Sequence, residues 1–151
     1  MSYPSGLQDI VDFFIPLSEQ EKRENLIHYA ESAAKQRPRE GEAFDLEDVR
    51  KDEECTDTVG IYLQVSKDQR VQFRVNLGPQ VQTLTRAMTA ILCQGLNGAR
   101  LEEVIAVPQD FVPAIVGADL VRVRSQTVYY VLSRMKGACQ AWQRQQRATQ
   151  G

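Results

Sequence analysis

VGIYLQVSKDQRVQFRV, residues 59–75, is the stretch whose patterning decides the fold. Val59, Ile61, Leu63 and Val65 alternate with other residues, and after the polar run Ser66–Arg70 the alternation resumes at Val71, Phe73 and Val75. A period of two sets alternate side chains on one face of an extended chain, so the segment predicts an antiparallel hairpin with one buried face. On both sides of it the apolar period becomes helical.

Upstream, Leu7, Ile10, Val11 and Phe14 predict a short amphipathic helix over residues 5–15, closed by Pro16. Ser18 followed by Glu21 is a capping-box pattern. It opens a second helix, running to about Arg37, with an apolar stripe of Leu26, Ile27, Ala30, Ala33 and Ala34. Residues 40–57, EGEAFDLEDVRKDEECTD, carry nine acidic side chains and little apolar content, which predicts a surface connection with a weak strand at most. Downstream, Val81, Leu84, Met88, Ile91 and Leu92 form a helical stripe ended by Gly95 and the turn Asn97-Gly98. Short helices are predicted over Arg100–Val107 and Pro108–Val116, with Gly117 as a stop. A long one follows from Ser125 to Arg147, carrying Val128, Val131, Leu132, Met135, Ala138, Cys139 and Trp142 on one side. The predicted class is α+β: a small antiparallel sheet with helices packed on one face. One domain is expected over residues 1–151, with a core at 17–147 and a flexible C-terminal tail at 148–151.

Bulk composition limits function by exclusion. The 151 residues are 42% hydrophobic and 25% charged, ordinary for a globular chain, and a net charge of −2 gives no general attraction to nucleic acid or anionic membrane. The longest nearly apolar run, Ile10–Leu17, is interrupted by Asp12 and Pro16 and is too short to span a bilayer. The opening MSYPSGLQDI lacks the basic start and apolar core of a secretory leader. The expected location is cytoplasmic, or an organelle stroma or matrix if a transit peptide has been removed.

Common catalytic signatures are absent: there is no GxSxG, HExxH, GxGxxG or phosphate-cradling glycine loop. His28 is the sole histidine, at the edge of a helical stripe where a boundary or surface position is expected. The three cysteines are widely spaced and form no CxxC, so neither a metal site nor a disulfide framework is expected. Cys139 lies on the stripe of the last helix and Cys93 follows Ile91-Leu92, which fits packing for both. Cys55 sits between DEE and TDT in the polar segment just before a strand. On the residues alone it is either an accessible nucleophile or an incidental loop thiol.

Four segments in register resemble the SufE family. ECTDTVGIYLQV, residues 54–65, is similar to the family segment in which GCxSxVW leads into the second strand. LTRAMTAIL, residues 84–92, is similar to its helix with an IVKGL-type run, Arg86-Ala87-Met88 standing for Lys-Gly-Leu. Leu101-Glu102-Glu103-Val104-Ile105 resembles a P-x-E-I helix. Leu120-Val121-Arg122-Val123-Arg124-Ser125-Gln126 resembles the L-x-x-SR-x-x-G-L segment that opens the last helix. The resemblance implies an accessory protein rather than an enzyme. It would take persulfide sulfur from a pyridoxal-phosphate cysteine desulfurase of the SufS type onto Cys55, stimulate that desulfurase, and deliver the sulfur to iron–sulfur cluster assembly on a SufBCD-type scaffold. It implies no cofactor of its own, no metal, no nucleic acid and no membrane partner, and a monomer or weak homodimer. Arg124 would be a supporting charge, and Glu53, Glu54, Thr56 and Asp57 would contact the partner.

The departures from the pattern are specific. Glu54 replaces the glycine before the cysteine, Asp57 the serine after it, and Gly60 the tryptophan. Gly78-Pro79-Gln80 replaces a DSD-type segment. Acidic neighbours raise a thiol's pKa, so Cys55 is expected to be weakly reactive until docked to its donor. Competing readings are a non-covalent adaptor in which Cys55 is not essential, and a redox switch pairing Cys55 with Cys139 or Cys93. Nucleic-acid binding would rest only on Arg134, Lys136, Arg144 and Arg147, which fit a solvated helix face.

Overall fold

The computed structural model describes residues 3–52 and 57–150. Three strands, β1 (Leu46–Asp52), β2 (Asp57–Val65) and β3 (Val71–Leu77), form an antiparallel sheet in the order β1-β2-β3. The β2–β3 hairpin follows its alternation: Val59 lies opposite Leu77, Ile61 opposite Val75 and Leu63 opposite Phe73. All of these are buried on one face. A large apolar side chain contributes about 1.5–3 kcal/mol when fully buried, so this face holds the register against a one-residue slip.

Seven α-helices are found among the described residues: α1 (Ser5–Phe14), α2 (Glu19–Ser32), α3 (Thr83–Leu96), α4 (Leu101–Ala106), α5 (Val112–Val116), α6 (Ala118–Val123) and α7 (Ser125–Gln150). Short 3-10 turns extend α2 and precede α5. The capping box of α2 forms, with the Glu21 N–H donating to the Ser18 hydroxyl and the Ser18 N–H donating to the Glu21 carboxylate. Such a cap stabilises a helix start by about 1 kcal/mol. Met88, Ile91 and Leu92 of α3 and Val128, Val131, Leu132 and Met135 of α7 are buried in the same core as the hairpin's apolar face. No described helix is long and apolar enough to cross a membrane.

The structure differs from the sequence expectations in four places. β1 is a full strand in a segment expected to be a surface connection. Its residues are LEDVRKD, and Asp48 occupies the core-facing position opposite Ile61, between Leu46 and Arg50. The acid is matched by Arg134 of α7, which had been expected on a solvated face. Nε of Arg134 lies 3.2 Å from the Asp48 carboxylate, and Nη2 donates to the carbonyls of Asp48 at 2.8 Å and Val59 at 2.9 Å. Its side chain is 3% exposed. Lys136, also expected in solvent, donates to the Val107 carbonyl.

On α2 the apolar stripe is narrower than predicted. Leu26 and Ala30 are buried, but Ile27 is 53% exposed and Ala34 also faces outward. The third difference is α6, which the sequence pattern does not predict; it is six residues long and only Leu120 and Val121 pack against the core, too few to show a helical period. Last, α7 continues through Gln150 where a flexible tail at 148–151 was expected.

Candidate functional site

The register of β1 and β2 sets the strand ends Asp52 and Asp57 opposite each other, bracketing residues 53–56. Cys55, with Glu53, Glu54 and Thr56, lies outside the described residues. The candidate site is therefore built from what surrounds its two roots.

At the C-terminal root, Asp57 opens β2, and both oxygens of its carboxylate are occupied. Oδ1 accepts the N–H of Thr58 and Oδ2 accepts the N–H of Gln80, each at 2.7 Å. These bonds, led by that from Gln80, hold the carboxyl below its usual pKa, with Lys51 and Arg86 adding positive charge. Gln80 belongs to the turn between β3 and α3. A Cβ at Gly78 in that turn would collide with the Asp57 carboxyl group, so only glycine admits the approach. The turn is fastened again by Arg86 on α3, whose Nη2 donates to the Gly78 carbonyl at 2.8 Å and whose Nε donates to the Val81 carbonyl at 3.1 Å. Asp57, expected to contact a partner, is engaged by the protein's own backbone.

The same turn leads to Arg124. Gln82 is the residue before α3, and its side chain caps no backbone N–H of that helix. Its Oε1 lies 3.5 Å from Nη1 of Arg124, at the junction of α6 and α7. Arg124 is exposed and forms no ion pair among the described residues. Through Asp57–Gln80 and Gln82–Arg124, the structure links this arginine to the root of the cysteine-bearing segment. Beside Gln82 and Arg124 opens a groove of about 530 Å³ between α2, α3 and α6.

The other two thiols are closed off. Cys93 and Cys139 have no exposed surface. Burial pushes each thiol up to about 12, so both are protonated at neutral pH and neither is a nucleophile. His28 is exposed. Among the described residues, no group of three His, Cys, Asp or Glu side chains is arranged to hold a metal ion.

Residues 8–139 match the family model described as SufE, Fe-S metabolism associated domain. The chain belongs to the SufE family. No curated protein sequence matches it. Among solved structures it is similar to the solution structure of a hypothetical protein from Thermus thermophilus, at 23% identity and TM-score 0.61 over 98% of this chain and 97% of that one. It is also similar to the crystal structure of a nitrogen-fixing NifU-like protein (N-terminal) from Brucella abortus, at 13% identity and TM-score 0.59 over 89% and 98%. At these identities the two structures speak for the fold alone. SufE membership associates the chain with Fe–S metabolism in an accessory role.

Within the SufE pattern, two departures that look independent in the sequence meet in space. Asp57 stands where a serine is usual and Gly78-Pro79-Gln80 where a DSD-type segment is usual, and here the carboxylate of the first is seated on the backbone of the second. Sequence patterning does not mark Arg86, Gly78 and Gln80 as members of the site. Their one trace in the sequence is that they fall at these departures and in the segment resembling IVKGL.

Proposed function

We propose that this SufE-family chain accepts sulfur on Cys55. A cysteine desulfurase holds sulfur as a persulfide on its own cysteine. The Cys55 thiolate attacks the outer sulfur, a new S–S bond forms on Cys55, the partner's S–S bond breaks, and the partner's thiolate leaves. No outside oxidant or reductant is required, because the sulfane sulfur carries its oxidation state with it. The loaded chain then offers the same outer sulfur to an acceptor in iron–sulfur cluster assembly.

The observation that carries this reading is the state of the other two cysteines. Thiol exchange needs an accessible thiolate, and Cys93 and Cys139 are buried, each thiol pushed up to about 12. That leaves Cys55 as the candidate, in the segment that resembles the family's cysteine motif. The burial of its two candidate partners also weighs against the redox-switch reading, since either disulfide would require the core to open. The nucleic-acid reading loses Arg134 and Lys136, both engaged inside the protein.

The test mixes the chain with a purified SufS-type desulfurase, pyridoxal phosphate and cysteine, and maps modified thiols by mass spectrometry. One added sulfur atom on Cys55, dependent on the desulfurase, is expected. Cys55→Ser should abolish both the adduct and the stimulation of cysteine turnover. Stimulation that survives Cys55→Ser would favour the non-covalent adaptor instead. Sulfur only on Cys93, or on no cysteine, would sink the assignment.

A further inference from the structure

The groove beside Arg124 has features that the sulfur-transfer step does not use. Its wall is apolar, built by Leu26 and Ile27 of α2, Leu84 of α3 and Leu120 of α6, and its rim carries Arg23 and Arg124. No carboxylate lines it, and neither arginine forms an ion pair among the described residues. Ile27 is 53% exposed, although helical spacing would put it on the edge of the core stripe. An exposed branched side chain in the wall of an apolar groove marks a surface that gains by being covered. α3 opens at Thr83 in the groove, with no cap from the Gln82 side chain, and adds a positive backbone end of the same sign as the two guanidinium groups.

We propose that this groove is a docking site for the sulfur donor, and that it takes a segment of the desulfurase presenting an apolar side chain with a carboxylate beside it. The inference rests on the sulfur-acceptor reading and gives that reading a footprint. Charge complementarity selects the occupant: an apolar residue fills the wall while its acidic neighbour reaches Arg23 or Arg124. Position selects it as well. The groove begins at Gln82, two residues from the Gln80 N–H that holds Asp57, so a partner seated there lies against the root of the cysteine-bearing segment.

Ile27→Glu and Arg23→Glu test the proposal at the α2 wall of the groove. Both positions are exposed, so the variants should fold, and an unchanged thermal midpoint checks this. Binding of a purified SufS-type desulfurase is measured by titration calorimetry, and reactivity of Cys55 by its rate of alkylation with iodoacetamide. Each variant is expected to weaken binding about tenfold while the alkylation rate stays within about twofold of the unmodified chain. Added salt should weaken binding of the unmodified chain more than that of Arg23→Glu. If sulfur reaches Cys55 and both variants bind as well as the unmodified chain, the groove proposal is wrong and the acceptor reading stands. If no sulfur reaches Cys55 at all, the acceptor reading fails and the groove proposal falls with it.

Discussion

Arg124 and Arg134 flank the first turns of α7 and have the same chemistry, yet the fold gives them opposite surroundings. Arg134 points into the sheet, where its guanidinium meets the Asp48 carboxylate, two backbone carbonyls and the Tyr130 hydroxyl. Arg124 points outward, with one long contact to Gln82. An arginine with its donors saturated by buried acceptors fixes geometry; one with donors facing solvent remains available to a second molecule. The pair shows how a basic residue near a helix start is sorted into structural or interactive use by what its neighbours accept.

The largest effect should come from attacking the buried member. Arg134→Met leaves Asp48 without its counter-charge and removes one donor from the carbonyls of Asp48 and Val59. We expect a loss of about 2 kcal/mol of stability in urea unfolding, because the buried guanidinium takes its hydrogen bonds with it and leaves Asp48, itself a third exposed, unpaired. If the loss were no larger than that of an ordinary surface substitution, the contrast between the two arginines would break. Arg124→Ala should behave differently, costing less than about 0.5 kcal/mol while slowing desulfurase-dependent sulfur transfer about fivefold.

The smallest effect concerns Asp57 and sharpens the comparison at the root linked to Arg124. Asp57→Asn leaves one of two N–H groups facing an amide N–H and removes a negative charge two residues from Cys55. Both changes favour thiolate formation and access, so alkylation of Cys55 should rise about two- to threefold. The same variant carries a pH signature. The folded carboxyl titrates below its ordinary value of 3.8, so its contribution to stability is present above that value and is lost as pH falls through the lower, folded value. The urea midpoint of the unmodified chain should therefore fall on acidification below about pH 4, and Asp57→Asn should flatten that part of the curve.

The sequence made some of this legible, and the reason differs by element. Val59, Ile61, Leu63, Val71, Phe73 and Val75 announced the hairpin because each lies opposite another apolar residue on a buried face. The stripe of α7 was readable for the same reason. β1 was not, because its inner positions read Leu46, Asp48 and Arg50, and the acid at the centre is matched by an arginine 86 residues away. Pattern reading treats a charge as a sign of solvent, so a charge neutralised by a distant partner misplaces both residues at once, and Asp48 and Arg134 were misplaced together. On the site, the burial of Cys139 was readable from its stripe, whereas Cys93 lies off the main stripe of its helix and its burial was readable only from its place after Ile91-Leu92. The seat of Asp57 on Gln80 was not, since a bond donated by a backbone N–H leaves no mark on the residue that donates it.

The reliance of β1 on Arg134 also bears on the order in which the molecule assembles. β2 and β3 are joined by a short turn and carry their own apolar face, so they can pair early and locally. β1 lacks such a face, and the group that ties its centre to the core arrives with the C-terminal helix. During synthesis the strand would leave the ribosome long before its clamp does. In refolding followed by pulsed hydrogen exchange, amides of β1 should gain protection only when those of α7 do. The strand that feeds the cysteine segment would then be the last part of the sheet to close.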